Sequence, residues 1–200
     1  FHPKSARAAE ALLMASRYFL ASGDTENART VLNAILLEYP KAGVRFEAQL
    51  QLGRLYLARG EYERSLRELS RLLAEAITAD MRSEVIVAIG ETHAAIGNRG
   101  EAETRYREAI STYPNSVAAL RAHVKLGDLS RSFQDLAAAR ESYQAVAENT
   151  TAPTDLRQLA YAGLAETASA AGDDQATVEN VSSWGQVSGG LTLNPIASRT

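Results

Sequence analysis

The chain has no cysteine, which removes disulfide bonds, thiolate zinc sites and cysteine nucleophiles from its 200 residues. A reducing cytoplasm and an oxidising compartment both accommodate that absence. Proline is scarce, with 5 residues, glycine is held to 13 and aromatic residues to 6%. Against these low numbers stand 36 alanines and 23 leucines, a balance that favours helix over strand by intrinsic propensity and predicts an all-α chain. Excess charge of one sign is missing as well: 21 basic residues face 24 acidic ones, a net charge of -3. Residues 1–100 carry 13 basic and 12 acidic side chains and the remainder 8 and 12, so neither half has the footprint of a nucleic-acid or anionic-lipid binder. No apolar run approaches the roughly 18 residues needed to span a bilayer, and Phe1 opens no charged n-region followed by an apolar stretch. No nucleic acid and no direct membrane insertion by this segment are therefore expected. With 46% hydrophobic residues and 22% charged ones, the composition is that of a folded chain.

What the sequence does have is a period of 37 residues. Gly53, Gly90 and Gly127 keep it, with Ser16 one step earlier. Ala28, Ser65, Ala102 and Ala139 keep it too, as do the larger side chains Leu32, Leu69, Tyr106 and Tyr143, and the series Ile35, Leu72, Ala109 and Val146. Turn glycines recur at Gly23, Gly60 and Gly97, with Gln134 at the fourth phase, and Pro3, Pro40 and Pro114 mark repeat ends. A fixed period in this range is the signature of stacked supersecondary units.

Within one unit, Arg45 to Arg59 places Ala48, Leu52, Leu55 and Tyr56 on one helical stripe, and Gly60 ends it as a C-cap glycine does. Glu61 to Ile77 repeats the pattern with Tyr62, Leu66, Leu69 and Leu72 or Leu73. Each unit therefore reads as a helical hairpin. Two helices approach closely only where one side chain shrinks, which gives the Gly53 and Ala28 phases a packing reason.

This pattern, Gly53, Tyr56, Gly60, Ser65 and Leu69 in one unit and Gly90, Gly97, Ala102, Tyr106 and Pro114 in the next, resembles the tetratricopeptide repeat. The usual period of that family is about 34 residues, and the three extra residues fall near Lys41 to Val44 and Asn115 to Ala118. That spacing is similar to bacterial envelope members of the type of the outer-membrane assembly lipoprotein and the cell-division coordinator. The resemblance implies an all-α fold, a right-handed α-α superhelix (solenoid) of hairpins. Its units run over about 6–42, 43–79, 80–116 and 117–153, with a degenerate fifth at 154–184 that caps the stack. One inserted residue sets Ala165, Thr177, Val181 and Trp184 at the phases of Gly127, Ala139, Tyr143 and Val146. His93 and Ser130 at an aromatic phase, and Gln134 at a glycine phase, predict looser packing in the third and fourth units. Phe1-His2-Pro3-Lys4 matches Glu38-Tyr39-Pro40-Lys41, so the sequence reads as beginning in the last turn of a preceding repeat. Residues 185–200, rich in glycine, serine and threonine, read as an extended or flexible tail.

Chemistry is sparse. His2, His93 and His123 lie at unrelated phases, without metal-ligand or nucleophile-base spacing. The glycines stand one per helix or turn rather than clustered between a strand and a helix, which removes a phosphate cradle. Asp173 with Asp174, and Glu61 with Glu63, fall at helix starts where the dipole favours acids. No catalytic residue, metal or cofactor is expected, and the chain reads as non-enzymatic.

Solenoids bind partners on the concave face lined by first helices. The resemblance implies that ligands meet the phases of Leu13, Leu50, Val87 and Val124, then Arg17, Arg54, Glu91 and Asp128, then Leu20, Leu57 and Arg131, Ala94 standing at the third unit's phase. This face is apolar along its middle, basic in the first two units and acidic in the next two. Leu13, Arg17, Leu50 and Arg54 do not match the Lys and Asn of family members that clamp a C-terminal carboxylate. The expected partner is a protein or peptide segment with hydrophobic anchors, held by a scaffold of the periplasm or cell envelope rather than the cytoplasm. Packing of Leu13, Leu50, Val87 and Val124 under neighbouring hairpins is the competing reading. A self-associating homo-oligomer, or a docking arm for an active enzyme or transporter domain elsewhere, are the alternatives for function.

Overall fold

The computed structural model describes residues 6–76, 78–187 and 189. Among the described residues ten helices and no strand are present: α1 Ala6–Ala21, α2 Thr25–Glu38, α3 Arg45–Ala58, α4 Tyr62–Glu75, α5 Ala79–Ile96, α6 Arg99–Thr112, α7 Val117–Ser132, α8 Leu136–Ala147, α9 Thr154–Ala170 and α10 Asp174–Val187. The chain divides into two compact units, Phe1–Arg105 and Tyr106–Thr200, and α6 runs from one into the other. In the first unit α1 packs on α2, α2 on α3, α3 on α4 and α4 on α5. In the second, α7 packs on α8, α8 on α9 and α9 on α10. The all-α repeat class read from composition and period is the observed one.

One local device builds the turns. Gly23, Gly60, Gly97 and Gly172 sit at φ of +77°, +73°, +89° and +74°, the left-handed conformation that ends a helix most cheaply with glycine. The next residue's N–H then reaches back five positions: Asp24 to the Phe19 carbonyl at 2.8 Å, Glu61 to Tyr56 at 2.9 Å, Asn98 to His93 at 2.9 Å and Asp173 to Ala168 at 3.0 Å. This is the Schellman closure of a helix C-terminus. Asp24 and Asp173 then accept from the backbone N–H of Asn27 (3.1 Å) and Ala176 (3.0 Å), so one residue closes the first helix and caps the second.

Gln134 takes the same role with φ +62°, and Asp135 makes the same bond to Ser130 at 3.0 Å. The expected loosening of the fourth unit does not occur. Tyr143 and Val146 are fully buried behind that turn, because a non-glycine residue can hold the left-handed conformation at a cost of about 1–2 kcal/mol while keeping every turn hydrogen bond.

The core is shared between neighbouring helices rather than enclosed by any pair. Leu13, Ala28, Leu32 and Ile35 of α1 and α2 form one apolar cluster with Ala48, Leu52 and Leu55 of α3. Leu50 of α3, Leu69 and Leu72 of α4, and Val85, Ala88 and Ile89 of α5 form the next. Each fully buried leucine is worth about 2 kcal/mol, and part of that burial is supplied by the neighbouring hairpin. Small residues let the helices close. A methyl group added at Gly53 would stand 2.6 Å from Leu69 Cδ2, and one at Gly127 would stand 2.6 Å from Tyr143 Cε1. Buried hydroxyls are satisfied within the same seams: Ser65 and Thr92 share a hydrogen bond of 3.0 Å, and Thr92 also donates to the Ala88 carbonyl at 2.9 Å.

Three features depart from the sequence reading or lie outside the described residues. Gly185 to Val187 belong to the last turn of α10 instead of an extended tail, whereas residues 188 and 190–200 are outside the described set. So are Phe1 to Pro3, and Ile77, which stands at the proline phase. The junction before α5 is short because Thr78 caps it by accepting from Met81 N–H at 3.1 Å, which lengthens α5 to 18 residues against 14 in α3.

His123 on α7 is half-buried, its Nδ1 has no hydrogen-bond partner, and burial holds its pKa below the usual 6.5 against the opposing pull of Glu141. A histidine depressed in the folded state takes its proton first in the unfolded chain, so its contribution is complete above pH 6.5 and is lost as pH falls towards the folded value. Urea unfolding midpoints should therefore decline below pH 6.5, and His123→Gln should flatten that slope. A separate decline should begin below pH 4.5, because hydrogen bonds from Arg59 and Arg29 lower the pKa of Glu26. Gln134→Gly should stabilise the chain by about 0.5–1 kcal/mol by relieving the left-handed residue. Gly127→Ala should cost about 1–3 kcal/mol, and more than Gly53→Ala, because the Tyr143 ring has nowhere to turn. Denaturant titration checks all three substitutions.

Candidate partner-binding face

In the first unit the expected face is built by α1, α3 and α5. Leu13, Leu50 and Val87 project inward and form the floor, with exposures of 6%, 3% and 0%. Leu13 and Leu50 belong to apolar clusters shared with neighbouring helices and Val87 is fully buried, so all three are core positions. Leu20 and Leu57, seven residues after Leu13 and Leu50, are half-buried and present apolar edges at the surface. Offsets of four and seven share a helix face, which places Arg17 and Arg54 between floor and edge.

Those two arginines form a ladder. Arg17 reaches Glu47 on the next first helix at 3.7 Å, and Arg54 reaches Glu84 on the one after at 3.1 Å. Side-chain exposure is 59% and 40% for the first pair, 36% and 26% for the second. Pairs this open to water contribute about 0–1 kcal/mol each and are screened by salt. Their cations are thus available to a competing carboxylate at little cost. Glu91, four residues after Val87, is half-buried on α5.

In the second unit the same phases fall on α7. Val124 is 5% exposed and belongs to the cluster with Tyr143 and Leu164. Asp128 accepts a hydrogen bond from Tyr143 Oη at 2.7 Å, and Arg131 pairs with Glu166 of α9 at 2.8 Å. Burial, followed by the Asp128 carboxylate, pushes the Tyr143 phenol well above its ordinary value, so it is a fixed donor at any physiological pH. Hydrogen bonding to Tyr143 leads the causes that raise the Arg131 pKa. Asp128 is therefore bound to a core tyrosine rather than standing as a free acid. Leu159, on the α9 face that carries Glu166, is 55% exposed.

The sequence reading missed Glu47, Glu84, Glu166 and Leu159. A signal for the first two was present: Arg17 to Glu47 and Arg54 to Glu84 have the same separation of 30, shorter than the repeat because the partner lies near the start of the following first helix. Leu159 stands at the phase of Glu47 and Glu84 once one inserted residue is allowed, and only its neighbours' geometry marks it as surface. Among the described residues no group of three or more His, Asp or Glu side chains gathers to hold a metal ion, and no helix is long and apolar enough to cross a membrane.

Comparison with known proteins agrees with the hairpin geometry. A family model described as a tetratricopeptide repeat-like domain matches residues 2–131. The chain is similar to the crystal structure of BtubC from P. vanneervenii, with a TM-score of 0.72 at 16% identity, covering 98% of this chain and 86% of that one. It is also similar to PilW, a type IV pilus biogenesis factor, with a TM-score of 0.68 at 17% identity over 92% of this chain and 79% of that one. MamA gives 0.59 at 19% identity over 86% and 94%. At these identities the likeness is one of fold. No curated protein matches the sequence.

A double-mutant cycle on Arg54→Ala and Glu84→Ala should give a coupling of about 0.2–1 kcal/mol that shrinks as salt is raised. A coupling that is large and insensitive to salt would mean that Arg54 is a locked structural cation.

Proposed function

Because the chain belongs to the tetratricopeptide repeat-like family, we propose that it is a non-enzymatic protein-protein interaction scaffold. Its ligand is a partner segment, helical or extended, with hydrophobic anchors and an acidic flank. The observation that carries this reading is the arginine ladder of the first unit: Arg17 and Arg54, held by open ion pairs to Glu47 and Glu84, beside the half-buried Leu20 and Leu57. An incoming carboxylate replaces Glu47 or Glu84 on a cation already aimed at the surface, and the apolar anchors of the segment cover the leucine edges. Leu159, with Glu166 and Arg131 beside it, offers a second contact area on the other unit. In the first unit the expected residues Leu13, Leu50 and Val87 serve this face as its rigid floor and Glu91 stands at its acidic end; in the second unit Val124 and Asp128 belong to the packing around Tyr143. A place in a bacterial cell envelope is part of the proposal. It is supported by the 37-residue period, and by the likeness in fold to a type IV pilus biogenesis factor.

Selection of a displayed random-peptide library on the 200-residue chain tests the reading. Enriched peptides should combine apolar anchors with acids, and should lose about tenfold or more in affinity on Arg17→Glu with Arg54→Glu, the order of one to two charge-assisted contacts. Circular dichroism and urea midpoints of the variant confirm that it is folded. Enrichment of basic peptides, or binding indifferent to both substitutions, would remove the face from the proposal.

A further inference from the structure

Three side chains stand at one phase of the first unit: Arg17 on α1, Arg54 on α3 and Glu91 on α5. Along this row the charge runs positive, positive, negative. The row is open even where helices lie on several sides of it. On α3, which packs against α2, α4 and α5, the Arg54 side chain is 36% exposed, and Glu91 on α5 is half-buried. Arg17 stands 3.7 Å from Glu47, and Glu47 accepts a hydrogen bond from Gln51 Nε2 at 2.8 Å. A carboxylate that draws Arg17 away therefore leaves Glu47 with a donor.

The step from one helix to the next decides which backbone can follow the row. Packed helices stand about 8–10 Å apart. A polyproline II segment returns to the same edge every three residues, about 9 Å further on. A β-strand returns at about 7 Å and then at about 13 Å, which falls short of the step and then overshoots it. An α-helix covers about 10 Å in seven residues, but it docks through a broad apolar stripe. Such a stripe has little to meet here: Leu13, Leu50 and Val87 are buried, and the apolar surface that remains is the half-buried edge of Leu20 and Leu57. That edge lies three residues beyond the arginines, about 4.5 Å along each helix, within reach of the side chains that stand between the charged ones of an extended segment.

We infer that the occupant of this face is a polyproline II segment of a partner chain, carrying two acids three residues apart and a basic residue a further three on. The acids meet Arg17 and Arg54, the base meets Glu91, and apolar residues between them cover Leu20 and Leu57. The base belongs at an end of the pattern, because in the middle it would face Arg54. Resting on the scaffold reading proposed above, this pattern narrows the partner from acids and apolar anchors in any arrangement to one charge order and one spacing.

Fluorescence anisotropy of labelled peptides on the 200-residue chain at low salt tests the pattern. Asp-Pro-Leu-Asp-Pro-Leu-Lys should bind about fivefold more tightly than Asp-Pro-Leu-Lys-Pro-Leu-Asp, which has the same composition and net charge, the order of one open charge contact. Glu91→Lys should remove that difference. If Glu91→Lys proves unfolded by circular dichroism, Glu91→Gln serves instead: the unsubstituted chain should bind Asp-Pro-Leu-Asp-Pro-Leu-Gln about threefold more weakly than the lysine peptide, and the variant should bind the two equally. Equal binding of both charge orders, a preference that survives the Glu91 substitution, or tighter binding of a helical peptide with its acids seven residues apart would overturn the pattern. In those cases the scaffold reading stands as long as Arg17→Glu with Arg54→Glu still weakens the acidic peptides. Binding of none of these peptides would overturn both.

Discussion

Tyr143 lies between two glycines, Gly127 of its own first helix and Gly163 of the next, and its hydroxyl is tied to Asp128 at 2.7 Å. In the first unit Leu69 meets Gly53 in the same register, while Ser65 bonds Thr92 of the following helix. A large side chain on a second helix, received by small residues on the first helices to either side, is the contact on which the rest depends. It fixes the distance between helices, buries apolar area that neither hairpin could cover alone, and transmits the register from one unit to its neighbour.

From that contact the surface follows. Leu13, Leu50 and Val124 are consumed in packing, so the face proposed for partners in the first unit consists of what stands four and seven residues further on, Arg17, Arg54, Leu20 and Leu57. These side chains are long, partly charged and half in water, suited to exchangeable contacts. A site of this type gains specificity from charge placement and affinity from modest apolar cover.

Much of this was legible beforehand. The period carried by Gly53, Ala28, Leu32 and Gly23 located the helices and turns, because spacing along a helix is a local property and the Schellman turn needs just one left-handed residue. Gln134 broke the glycine pattern without breaking the turn, since its backbone cost is small beside the hydrogen bonds that Asp135 and Ser130 retain. Burial was harder to read. Leu13 and Leu20 are the same residue type on the same helix face, yet the former is floor and the latter is edge. The pairing of Arg54 with Glu84, or of Asp128 with a core tyrosine, joins residues on different helices.

The amino-acid sequence by itself determined the all-α class, the hairpin repeat, the turn positions and the absence of thiol chemistry, since each rests on composition or on interactions within a few residues. The tertiary structure alone decided which apolar side chains are spent on packing and which charges are already paired. Those outcomes depend on distances between segments some 15 to 35 residues apart, which no local pattern encodes.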